Sequence, residues 1–219
     1  NYHVYVVDMR NHGASPHKTV MDYPAMASDI QQFLHDRQIT SANILGHSMG
    51  GKVAMYLALT APEYIKQLIV ADIAPVSYQH SFDGLIRALK RLPLAEIKNR
   101  KQADEFLAAA IPEASFRQFL LQNLVLVSGE YQWRIDLDIF AANANFIIAF
   151  PDVEIFRAYR PEVLFLAGEQ SNYIQAESVK VLFPQARIET IAAAGHWLHA
   201  EQPAAFCQAV QHFLTSETS

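Results

Sequence analysis

The chain has one cysteine in 219 residues, Cys207, so an internal disulfide framework cannot form. That usage fits a reducing compartment, and a cytoplasmic location is the expectation. A basic excess is also missing. Lys and Arg number 17 against 22 Asp and Glu, a formal net charge of −5, which gives no reason to expect a nucleic-acid partner. The short basic group from Arg87 to Lys101 reads as a solvated helix face. No hydrophobic run reaches bilayer length; stretches such as Phe146 to Phe150 are far too short, so no membrane span is expected. The nine histidines lack His-x-x-x-His spacing and carboxylate-spaced ligand sets, so neither a metal nor a cofactor is expected. Internal repeats and low-complexity segments are absent from the sequence as well. What is present is globular: 51% hydrophobic and 18% charged, long enough for one core or a core plus an inserted subdomain.

Short β-branched runs alternate with helical patterns, which predicts an α/β fold with a mostly parallel sheet flanked by helices. Strands are predicted at residues 3–8, 42–47, 67–72, 163–168 and 187–192, and helices at 23–37, 49–61, 173–183 and 203–214. Cys207 falls in the apolar pattern of the last helix with Phe206, Val210 and Phe213, which predicts packing rather than catalysis. The interval from Ala74 to about Pro161 breaks the alternation and reads as several helices, with a turn at Gly129–Arg134. Such an insertion is expected to cap the strand ends, where ligands bind in open α/β sheets. The expected organisation is a core of residues 1–76 and 161–219 with a helical cap at 77–160. The chain starts directly in the first predicted strand. It reads as the middle and end of a longer protein, with the missing amino-terminal strands supplied by further chain or by a partner segment.

The chemistry is concentrated in Gly46-His47-Ser48-Met49-Gly50, a Gly-x-Ser-x-Gly pattern between a predicted strand and a predicted helix. That setting puts a serine on a sharp turn with its hydroxyl exposed above the sheet edge. A serine nucleophile needs a base, itself oriented by a third group. The candidate base is His196, in Ala194-Gly195-His196-Trp197 after the last predicted strand. Its main rival is His199; His47 should point away from the serine, and His12 reads as structural. The candidate acid is Asp72 at the end of a strand, with Glu169 as the alternative. A Gly-x-x-Asp pattern would place an acid after the penultimate strand, but Gly168-Glu169-Gln170-Ser171 has serine there, and Ser171 could hydrogen-bond the His–Asp pair instead. The Met49 amide is one expected oxyanion donor; the second is expected upstream of Asn1. Tyr78, Phe82, Trp133 and Trp197 are candidates for an apolar acyl pocket.

With these residues assembled, the chain resembles the α/β-hydrolase superfamily and, more narrowly, the bacterial YbfF-type esterases. The resemblance spans the whole chain. It is carried by Asp8-Met9-Arg10-Asn11-His12-Gly13-x-Ser15-Pro16, Tyr23-Pro24-Ala25-Met26-Ala27, Gly46-His47-Ser48-Met49-Gly50-Gly51-Lys52, Asp72-Ile73-Ala74-Pro75-Val76 and Gly195-His196-Trp197-x-His199-Ala200-Glu201-x-Pro203. It implies carboxylesterase activity on a small-molecule ester, with acyl-CoA thioesters as a second substrate class, and a helical cap. It maps the nucleophile to Ser48, the acid to Asp72 and the base to His196, with Ser171 beside them. The rival readings are carbon–carbon bond hydrolysis, lyase or cofactor-free perhydrolase chemistry on the same scaffold, and a non-catalytic hydrolase-like binding protein.

Overall fold

Leu68 to Ala71 and Val163 to Leu166 are at most 1% exposed, the burial of strands covered on both faces at the centre of a parallel sheet. The structure, a computed structural model, describes residues 2–79, 81–152 and 155–216. In chain order the first elements are α1 (Tyr23–Asp36), β1 (Ala42–His47), α2 (Met49–Thr60) and β2 (Ile65–Ala71). Then come α3 (Asp83–Lys90), α4 (Arg100–Leu107), α5 (Ala114–Leu121), β3 (Leu124–Val127), β4 (Glu130–Trp133) and α6 (Leu137–Ile148). The chain ends with β5 (Val163–Gly168), α7 (Ala176–Leu182), β6 (Ala186–Ile191), α8 (Leu198–Glu201) and α9 (Pro203–Thr215). These elements fall into two compact units. One comprises Tyr23–Tyr78 and Ala149–Ser219; the other comprises Asn1–Asp22 and Gln79–Ile148.

The first of these, the sheet unit, holds four parallel strands in the order β1-β2-β5-β6. Chain order and spatial order coincide, and because every pairing is parallel, every strand points its carboxyl end to the same edge. One face is closed by α9, whose Phe206, Ala209, Val210, Phe213 and Leu214 pack on Ile69, Leu164, Leu166 and Ile191. Helical spacing turns Cys207 about 100° away from Phe206, and its thiol is exposed, which corrects the expectation that it packs. α2 lies against β1 and β2 because its near face is small: a Cβ on Gly51 would stand 2.6 Å from Ile73 Cγ2.

The second, inserted unit has its own core of Leu89, Leu92, Ala103, Leu107, Leu120, Leu121 and Leu124. Against the expectation from the sequence, it is not all helical. β3 and β4 form an antiparallel hairpin in which Leu124 pairs with Trp133 and Val127 with Glu130. Ser128 and Gly129 both have positive φ, 51° and 89°, the geometry a two-residue hairpin turn requires. β-Branched Val125 and Val127 before that turn favour strand over the helix expected there.

Residues 3–8 form no strand. Tyr2–Asp8 joins no ladder among the described residues and Val6 is 94% exposed, because a β-branched apolar run becomes a strand only against a partner. The Asp8–Pro16 block that follows is a self-bonded loop. Asp8 accepts the Ala14 amide at 2.9 Å and the Ser15 hydroxyl at 2.6 Å, and the Asn11 side chain bridges both backbone groups of Lys18. Asn143 on α6 accepts from the Met21 amide and donates to the Thr19 carbonyl, fixing this amino-terminal segment within its unit.

Candidate active site

The turn after β1 reverses the chain in one residue. Ser48 has φ 52° and ψ −118°, outside the ordinary regions for a non-glycine residue, and its amide is tied to Ala71 O at 3.0 Å. The tightness falls on one flanking glycine more than the other. A Cβ on Gly46 would stand 2.2 Å from the Gly50 carbonyl, whereas one on Gly50 would meet nothing within 4 Å. Met49 then opens α2, where first-turn amides have no intrahelical acceptor and can face an anion.

At the end of the neighbouring strand, Asp72 also has positive φ, 49°, and is fully buried. Its carboxylate is held by three donors from across the sheet edge. Oδ1 accepts the Gly168 amide at 3.0 Å; Oδ2 accepts Ser171 Oγ–H at 2.5 Å and His196 Nδ1–H at 2.8 Å. Because the carboxylate can only accept, the His196 proton sits on Nδ1 and leaves Nε2 with a lone pair. Nε2 lies 3.1 Å from Ser48 Oγ. Residues 48, 72, 171 and 196 therefore come from the ends of β1, β2, β5 and β6 in turn. This arrangement can take a proton from a serine hydroxyl and stabilise the resulting imidazolium.

Other candidates fall elsewhere. Glu169 does not meet His196; its Oε2 accepts the Ala193 amide at 2.7 Å. His199 packs edge-on to His47, with ring centroids 4.8 Å apart, and burial lowers its pKa. His12 bonds the Arg10 carbonyl inside its own loop. Of the expected pocket aromatics, Trp197 flanks His196 with ring centroids 5.3 Å apart. Tyr78 Oη accepts the Ala74 amide and donates to Tyr173 O. Phe82 and Trp133 belong to the inserted unit, where Phe82 packs on Phe140 and Trp133 Nε1 donates to Leu89 O.

Sequence reasoning missed two neighbours. The Tyr173 ring lies 4.4 Å from the His196 ring, and its amide donates to Ser171 Oγ. Lys52, 1% exposed, donates from Nζ to Ala149 O, with the Tyr78 ring 4.8 Å away; burial pushes its pKa down to about 7. Lys52 was quoted in the motif, but nothing in residue type announces a buried amine. Among the described residues no three His, Cys, Asp or Glu side chains cluster as a metal would need, and no helix is long and apolar enough to cross a membrane.

A parallel sheet whose strand ends carry a serine elbow, a buried carboxylate and a histidine is the layout of an esterase- or lipase-type hydrolase. Residues 1–209 match the alpha/beta hydrolase family, and the chain belongs to it. The chain is 41% identical over 222 residues to the sn-1-specific diacylglycerol lipase ABHD11 of Xenopus laevis, covering 97% of this chain and 70% of that protein. It is 35% identical to Esterase YbfF of Escherichia coli K12 over 98% of this chain and 83% of that protein, so the resemblance read from the motifs holds. Among solved structures, a marine microorganism esterase superposes with a TM-score of 0.86 at 40% identity, over 94% of this chain and 82% of that one.

Proposed function

We propose that the protein hydrolyses carboxylic esters in two steps through an acyl-enzyme on Ser48. His196 Nε2 takes the Ser48 proton as Oγ attacks the acyl carbonyl, and Asp72 holds the imidazole and favours its charged form. The Met49 amide donates to the oxyanion. His196 then returns the proton to the departing alkoxide, and water deacylates the serine with His196 as base. Ser171 supports Asp72 through its hydroxyl, and Trp197 and Tyr78 bound the acyl side in the sheet unit. The substrates are small-molecule esters, with acyl-CoA thioesters as a second class. Relatives named as a diacylglycerol lipase and an esterase point to the same reaction type.

The observation that carries this reading is the unbroken hydrogen-bonded line from Ser48 through His196 to Asp72. Labelling with a fluorophosphonate tests it. An adduct on the wild type that disappears in Ser48→Ala supports the reading; its absence from the wild type removes the catalytic assignment. A profile over p-nitrophenyl esters, acyl-CoA thioesters and a vinylogous diketone separates the reaction types. Faster turnover of the diketone would replace ester with carbon–carbon bond hydrolysis.

A further inference from the structure

The loop that carries His196 is held from both sides at its backbone, and neither holder belongs to the reaction as proposed. Glu201, at the end of the single turn α8, reaches back along the chain. Its Oε2 accepts the Gly195 amide at 2.7 Å and its Oε1 accepts the Trp197 amide at 3.2 Å. One carboxylate therefore accepts the amide of the residue before His196 and that of the residue after it. The approach is close: a Cβ on residue 195 would stand 3.3 and 3.4 Å from the two carboxylate oxygens. From the opposite side, His47 Nε2 lies 2.8 Å from the His196 carbonyl, which can only accept, so His47 donates from Nε2–H. The His47 ring also packs on the rings of His196, Trp197 and His199 at 4.7, 5.3 and 4.8 Å.

We propose that Glu201 and His47 are positioning residues that set the backbone of His196, and through it the direction of the imidazole toward Ser48. The inference rests on His196 acting as the base on Ser48. The His196 carbonyl and the Trp197 amide belong to one peptide plane, which His47 and Glu201 hold from its two sides. Glu201 also holds the Gly195 amide further upstream, so the backbone that carries the ring is fixed on both flanks. Such planes matter because a misplacement of about 1 Å at a reacting group can lower a rate about 100-fold. His47 suits its place as a neutral donor. Burial first, and then the neighbouring His196, push its pKa down to about 4, so no second positive charge competes with the imidazolium that forms beside it. Glu201 contributes a charge-assisted acceptor, stronger than a neutral one. Other tethers of the loop, from Ala193 N to Glu169, from the Gln202 side chain to Ala193 O and from Gln170 N to Ala194 O, lie upstream of the His196 peptide.

The test compares wild type with Ser48→Ala, Glu201→Ala, Glu201→Gln, His47→Leu and His47→Gln. For each, kcat and KM on a p-nitrophenyl ester, the rate of fluorophosphonate inactivation and the thermal midpoint are measured. Glu201→Ala and His47→Leu are expected to lower kcat and the inactivation rate together by about 10- to 100-fold, with KM moved by less than about twofold. The glutamine variants keep an acceptor at 201 and an Nε2 donor at 47, and are expected to recover part of that loss. Wild-type kcat in Glu201→Ala and His47→Leu overturns the proposal. So does a loss carried by KM or by the fraction folded, or one that the glutamine variants do not relieve. Hydrolysis that persists in Ser48→Ala instead removes the reading of Ser48, and this inference with it, so the two failures are told apart by that single arm.

Discussion

In the inserted unit a buried charge is Arg117, and its guanidinium makes four hydrogen bonds. It forms a fork with Asp104 at 2.8 and 3.2 Å and donates to the carbonyls of Ile111 and Pro112. In the sheet unit the buried charged side chains among the described residues are Asp72 and Lys52, and Asp72 sits on backbone with positive φ, as do Ser48, Ala193 and, in the loop before β1, Gln38. The inserted unit uses positive φ where turns and loops call for it, at Ser128, Gly129, Asn11 and Gly13. A non-glycine residue in such a conformation costs on the order of 1 kcal/mol, which the surrounding sheet must offset. Both units thus carry a buried charge and non-glycine residues with positive φ. In the sheet unit Ser48 and Asp72 place them at the strand ends of the candidate site, while in the inserted unit the buried charge is paired and the strained residues sit in a hairpin turn and a loop.

The largest expected effects test the sheet-unit side of that contrast. Asp72→Asn should lower kcat for ester hydrolysis by about 10⁴ while the fold survives, and Glu169→Gln by less than about tenfold. The opposite order in steady-state assays would hand the orienting role to Glu169. Ser48→Ala and His196→Ala should each lower kcat by about 10³ or more with little change in thermal midpoint.

On the other side of the contrast, Leu107 is fully buried in the inserted core. Leu107→Ala should cost about 2–5 kcal/mol, read as a lowered denaturant midpoint. A loss of activity per folded molecule without that shift would contradict the division between chemistry and packing.

A third effect comes from the buried amine. Between the folded pKa of Lys52, about 7, and its ordinary value of 10.5, the unfolded chain holds a proton that the native state has released. Stability should therefore rise with pH across that window, by about 2–3 kcal/mol from pH 7 to pH 9. Lys52→Met should flatten this slope in denaturation curves taken at several pH values; an unchanged slope would assign it to other groups. The smallest effect expected is for Ser171→Ala, about tenfold in kcat, because Asp72 keeps the Gly168 amide and His196 as partners.

Much of the sheet unit is legible in the sequence for a physical reason. β5, buried along nearly its whole length, reads as an unbroken apolar run, and the predicted strand at 163–168 coincides with it. The strand predicted at 42–47 also coincides with β1, a partly exposed strand marked in the sequence by the glycine elbow that follows it. Ser48 and His196 were legible as a serine and a histidine near glycines just past predicted strands, and Asp72 as a carboxylate at a predicted strand end. The hairpin β3–β4 was not, since two four-residue strands are shorter than one helical period can be told from. The segment 3–8 failed in the opposite sense, because a β-branched run states a preference and a ladder needs a second strand. Glu201 and His47 stayed hidden as supports because their bonds go to backbone amides and a carbonyl, groups that every residue carries.

The coincidence of chain order with sheet order has a kinetic consequence. Ser48 and His196 stand 148 residues apart in the chain, and Asp72 and His196 stand 124 apart. Contacts at such separations close late, after the local helices and the nearer strand pairs. A chain that has docked β1, β2 and β5 but not β6 holds a serine with no base, and is chemically silent. Acylation of Ser48 during refolding is thus a clock for the last strand: its appearance should lag helix formation and coincide with the docking of residues 186–196.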